Sequence, residues 1–198
     1  MNFEFLNSSK LSFYQIRSKT NSFSCPTDHS KFGVWDELTQ KLLYQMETES
    51  NLELKRVYGP VLFQLLVCLG IGATRWLTSL LNVISSYTQS ISDQQCRIHA
   101  LENLEKLMEL CEERVNFHSE TILEILFRLL YELSRVKHQN PQEEKMQKMV
   151  VKMLEKMVTL CPDEFALHCQ GLDEVHVNEV FDRVISDLYA IKRVKMYE

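Results

Sequence analysis

From Val34 onward the apolar positions recur at helical spacing. Trp35, Leu38, Leu42 and Met46 step by three or four residues and mark a leading helix. A second segment, Leu52 to Leu69, carries Val57, Val61, Leu62, Leu65 and Leu66. Gly59-Pro60 interrupts it; proline lacks a donor and crowds the preceding turn, which predicts a kink or short break. A helix over Ala73 to Thr88 sorts cleanly at ~100° per residue. Trp76, Leu77, Leu80, Leu81, Val83, Ile84 and Tyr87 share one side, and Arg75, Ser79, Asn82 and Ser86 the other.

Ser92 with Gln95 three residues later reads as a capping box. It opens a helix with Cys96, Leu101, Leu104, Met108 and Cys111 on one side. A corner at Val115 to His118 precedes Ser119-Glu120, the expected cap of a helix through Val136 with core positions Ile122, Leu126, Leu129, Leu130 and Leu133. His138 to Pro141 is a loop. A Met-rich helix (Met146, Met149, Met153, Met157) is stopped at Cys161-Pro162, and a last helix runs from about Asp173 to Ile191. The fold class is all-α: one leading helix, then about three antiparallel helix pairs whose first helices start near Leu52, Gln95 and Glu143. Steps of ~43 and ~48 residues lie in or near the HEAT and armadillo range, with a plain bundle as the alternative.

The scarcity of turn formers, five Gly and four Pro, agrees with long helices. A net charge of −5 argues against nucleic acid as the main partner. Residues 1–33 are +2 (Lys10, Arg17, Lys19, Lys31 against Glu4, Asp28) and read as a polar, flexible segment, separate from a helical domain over 34–198. Their Ser-rich start leaves a mitochondrial transit peptide as an alternative. The six cysteines, with no secretory signal, read as reduced thiols of a cytoplasmic and nuclear protein. No stretch is expected to cross a membrane, because Arg75 follows soon after the apolar run Val61 to Leu69.

Catalytic chemistry is sparse. Gly70-Ile-Gly72 resembles the start of a dinucleotide loop, but Arg75 stands where the third glycine belongs and the flanks are helical. The glycines fit a helix-ending turn instead. Glu102, Glu105 and Glu109 form a carboxylate row, read as a solvated face rather than an acid–base pair. Cys161, His168, Cys169 and His176 are the metal-like or thiol-like cluster, but their spacing departs from the Cys pairs of structural zinc sites. Lys145, Lys148, Lys152 and Lys156 flank the methionines, in the manner of a weak calmodulin target. No cofactor and no catalytic residue are assigned.

Partner binding is the better reading. On the helix after Ser119, Phe127, Arg128 and Tyr131 project away from the core stripe with Glu124 and Arg135. Aromatics and Arg on a polar face suit an interface hot spot, or they pack on a neighbouring repeat. Arg75 and Asn82 begin a second polar stripe.

The block LGIGATRWLTSLLNVISSY with CRIHALENLEKLMELCEERV, preceded by Met46-Glu47-x-Glu49-Ser50-x-Leu52-x-Leu54, resembles the C-terminal part of the Tel-two-interacting protein two family. The resemblance covers roughly Val34 to Ile191 and is strongest between Met46 and Val115. It implies a non-enzymatic helical-repeat subunit of the Tel–Tti–Tti (TTT) co-chaperone complex. Its implied partners are the larger Tti subunit and the Tel subunit and, indirectly, the ninety-kilodalton heat-shock chaperone. The implied clients are phosphatidylinositol-3-kinase-like kinases (ATM, ATR, DNA-PK, mTOR), and through them DNA-damage and growth signalling. An unrelated armadillo-like adaptor, or a zinc or thiol enzyme built on the Cys/His cluster, are the alternatives.

Overall fold

A computed structural model describes residues 34–136, 140–170 and 179–195. The chain divides into two compact units, residues 1–39 and 40–198. Described residues 34–39 of the first open helix α1 (Val34–Thr48), whose remainder belongs to the second unit. Then follow α2 (Leu52–Leu69), a 3₁₀ segment (Gly70–Trp76), α3 (Leu77–Thr88) and α4 (Gln94–Leu110). A second 3₁₀ segment (Glu112–His118) leads to α5 (Ser119–Ser134), α6 (Pro141–Leu160), the short α7 (Pro162–Gln170) and α8 (Glu179–Lys195). Every described element is helical, as the spacing predicts. The expectations for residues 1–33, the side chain of Trp35, His138 and the stretch from Asp173 to Val177 lie outside the described residues.

Within residues 40–198, α2, α4 and α6 lie side by side in one row. In a second row, α3 touches α5, and α5 touches α7 and α8. The rows interlock, because α3 packs on α4 and α5 on α6. The close sequential neighbours are therefore α3–α4 and α5–α6, and not α2–α3 and α4–α5, the pairs that the spacing predicts. α4 sits in the middle and is buried on several sides, at Cys96, Ile98, Ala100, Leu101, Leu104, Leu107 and Met108. Leu62 and Leu66 of α2, Ile84 and Tyr87 of α3, Leu126 and Leu130 of α5, and Val150 and Leu154 of α6 complete the core. Each such Leu contributes about 1.5–3 kcal/mol by leaving water.

Local chemistry sets the ends. Asn140 accepts from the backbone N–H of Gln142 and Glu143, while Glu143 accepts from the N–H of Asn140; Pro141 follows at the first helical position. This reciprocal cap starts α6 two residues before the expected Glu143. At α4 the cap is Asp93, not Ser92: its carboxylate accepts from the Cys96 N–H at 3.1 Å. Ser119 does not cap α5; it lies inside the helix and donates its hydroxyl to Asn116 O at 3.0 Å. α5 ends at Ser134 rather than Val136.

Of the kink or short break expected at Gly59-Pro60, the break does not occur: α2 runs through both residues. Gly59 lies against His99, where a Cβ would meet the His99 Cβ at 2.7 Å. The Gly59 carbonyl accepts from Asn103 Nδ2 at 3.0 Å. Contacts to α4 thus hold the turn that proline weakens. Gly70, at φ +52, ends α2 as expected. The helix expected from Ala73 starts instead at Leu77, because Gly70 to Trp76 winds as 3₁₀.

The run Leu52–Thr88 is helical through 37 residues, with an 18-residue window of mean hydropathy 1.7, and passes a length and composition test for crossing a membrane. This corrects the expectation that Arg75 disqualifies it. Only 22% of that window is buried.

Candidate partner-binding surfaces

Polar groups pin the seams between helices. Lys55 of α2 donates to Ser86 Oγ of α3 at 3.2 Å and lies 5.3 Å from the Tyr87 ring centroid. Arg56 pairs with Asp93 at 2.6 Å, so the α4 cap also ties α2 to α4. Between α4 and α5, Arg97 pairs with Glu132; between α3 and α5, Arg128 donates to Thr88 Oγ1 at 2.8 Å. The Arg97 side chain is 6% exposed, and burial of such a charge is costly unless it is paired. Burial lowers the Arg128 guanidinium below its ordinary value, with Glu132 and Glu124 acting the other way. The Nε atoms of Arg97 and Arg128 have no acceptor among the described residues.

These contacts decide what the predicted interface residues can do. Phe127 does not project from the protein. It is 7% exposed, with its ring 5.7 Å from Phe165 and 6.2 Å from His168 of α7. The helix wheel of α5 alone cannot show this, because α7 covers that side. Arg128 is half-buried and committed to Thr88. Tyr131 packs partly on the core, and Arg135 lies over its ring at 5.4 Å while donating to the hydroxyl at 3.2 Å. Of this set, Tyr131 and Arg135 form one accessible pair, and Phe127 and Arg128 are seam residues. Arg75 and Asn82 are exposed, as their stripe predicts; Asn82 donates to Glu47 of α1 at 3.2 Å. Trp76 sits at the rim of the core.

Parts of the carboxylate row and the lysine row form one ladder, while Glu109 pairs with Lys106 and Lys148 with Glu144 inside their own helices. Lys145 pairs with Glu102, Lys152 with Glu105 and Lys156 with Glu112, joining α6 to α4 and the 3₁₀ segment after it. A groove of about 390 Å³ beside it is lined by Glu105, Glu144, Lys145, Lys148, Lys152, Pro141 and Met149.

Cys161 is buried and its thiol donates to Asn116 Oδ1 at 2.8 Å. Burial and Glu164 push that thiol up to about 11, which keeps it protonated and poorly nucleophilic near neutrality. Cys169 is buried too, burial lowers the basicity of His168, and His176 lies outside the described residues. Among the described residues no three His, Cys, Asp or Glu side chains gather as metal ligands.

Sequence reasoning missed Lys55, Arg97, Asn103 and Glu132. The signal available was a polar residue flanked by core positions, as Arg97 is by Cys96 and Ile98.

No family model matches the chain, and no solved structure does. A curated human protein, TELO2-interacting protein 2, is 30% identical over 122 residues. The match takes in 61% of this chain and 23% of that protein, so the chain spans about a quarter of the length of the relative it matches. An all-helical stack held by packing and seam contacts, distantly similar to part of a TELO2-interacting protein, is where structure and comparison meet.

Proposed function

We propose that this chain is a non-enzymatic scaffold subunit of the TTT co-chaperone complex, built as a HEAT/armadillo-like array of about three helix pairs. It works in the cytoplasm and nucleus, binds the larger Tti subunit and the Tel subunit, and so supports the stability of phosphatidylinositol-3-kinase-like kinases. The observation that carries this reading is the 30% identity to TELO2-interacting protein 2. The side-by-side rows of α2, α4, α6 and α3, α5, α8 support the repeat reading, since stacked pairs offer long faces to partners. The protonated, hydrogen-bonded Cys161 supports the non-enzymatic reading. Affinity purification of the tagged chain followed by mass spectrometry tests it. The larger Tti and Tel subunits are expected in stoichiometric yield, and their absence alongside other specific partners defeats the proposal.

A further inference from the structure

α2 is buried along one side. Lys55, Gly59, Leu62 and Leu66 are covered there, and Gly59 meets His99 and Asn103 of α4. At ~100° per residue, the opposite side carries Leu54, Val57, Val61, Gln64 and Cys68. This stripe is open: Leu54 is 42% exposed, Val57 60% and Val61 40%. It runs the length of the helix at the spacing of a packing face, not of a solvated one.

We propose that this stripe of α2 docks an amphipathic helix pair of another α-helical repeat chain, laid against α2 as α2 is laid against α4. Two observations select that occupant. The first is continuity. α2, α4 and α6 form a row by side-to-side packing, and among the described residues the stripe is the face at which that row stops. The second is charge. Within α2 the charged residues are confined to the first five positions, at Glu53, Lys55 and Arg56, and Lys55 is buried. The stripe thus lacks the basic fringe that holds an amphipathic helix on an anionic lipid surface. Branched Leu and Val with one central Gln suit the ridges and grooves of a second helix, whose axis would lie ~8–10 Å away. The inference deepens the scaffold reading and rests on it, with the larger Tti subunit as the repeat chain to be tried.

The test is co-expression of the full chain with the full-length larger Tti subunit and tandem-tag purification. The arms are wild type, Val57→Glu/Val61→Glu, the milder Val57→Ser/Val61→Ser, and Lys148→Ala on another face. Circular dichroism and melting establish folding of each; should the Glu pair misfold, the Ser pair decides. The expected result is retention by wild type and Lys148→Ala and about tenfold weaker retention by the stripe variants, the loss seen when apolar anchors are removed. Equal retention by all arms overturns the inference and leaves the scaffold reading standing. Failure of wild type to bind overturns the scaffold reading, and the inference falls with it. Light scattering and flotation with phosphatidylcholine/phosphatidylserine vesicles accompany the pull-down. A wild-type dimer, or vesicle binding, that the stripe variants abolish overturns the inference by assigning the face to a second copy or to lipid.

Discussion

Two seams of α4 use similar charges to opposite effect. Toward α5, Arg97 meets Glu132 with side chains 6% and 24% exposed. Toward α6, Lys152 meets Glu105 with side chains 73% and 30% exposed. The inner pair is shielded from solvent, so its alternative is a buried unpaired charge. The outer pair exchanges one aqueous state for another, and its alternative is a hydrated lysine. The inner pair therefore carries more stability than the outer one, which joins two helices already packed side by side.

Glu132→Ala strands Arg97 and should have the largest effect. The expected loss is about 3 kcal/mol in urea unfolding, reduced somewhat by the partial exposure of Glu132. A loss below ~1 kcal/mol would show that Arg97 reaches water and that the seams are alike. The paired replacement Arg97→Met/Glu132→Leu should recover most of the loss. Next comes Asn103→Ala, which removes the donor to the Gly59 carbonyl beside Pro60. About 2 kcal/mol is expected, with faster amide exchange in α2 as the local readout. Asn140→Ala removes the reciprocal cap of α6 and should cost about 1 kcal/mol.

A pH scan probes the buried side from another direction. Burial lowers the folded-state value of His168, opposed by Glu120 and Glu124. The folded chain then binds fewer protons than the unfolded one. Its stabilising contribution is present above the ordinary histidine value of ~6.5 and is lost as pH falls through the lower folded value. His168→Gln should flatten the stability profile on the acid side of neutrality; an unchanged slope would place His168 in water. The smallest effect is Lys152→Ala, for which the melting temperature should stay within error. A clear drop would give the outer ladder the weight assigned here to the inner seam.

Periodicity was sufficient for the apolar core: Ile122, Leu126, Leu129, Leu130 and Leu133 are all buried, as their spacing requires. It was insufficient where burial comes from an element that a helix wheel does not contain. Phe127 looked outward until the short α7 closed over it, and Arg97 looked solvated until α5 brought Glu132. The two charged rows, each legible, were read separately because nothing in either row says that they face one another across two helices. At α4, Ser92 and Asp93 are both good caps; the choice falls to Asp93, whose carboxylate also meets Arg56, a contact invisible in local sequence. Of the candidate interface residues, Arg75, Asn82 and Arg135 stood where the pattern put them.

The interlocking of the rows has a consequence for cutting the chain. Because α3 and α2 both rest on α4, a nick in the connection from Gln89 to Asp93 severs the backbone while leaving the two broad apolar faces matched. The pieces on either side of it are natural halves for a split reporter. They are joined by surface rather than by covalent continuity, with Arg56 on one half and Asp93 on the other to set the alignment as they meet.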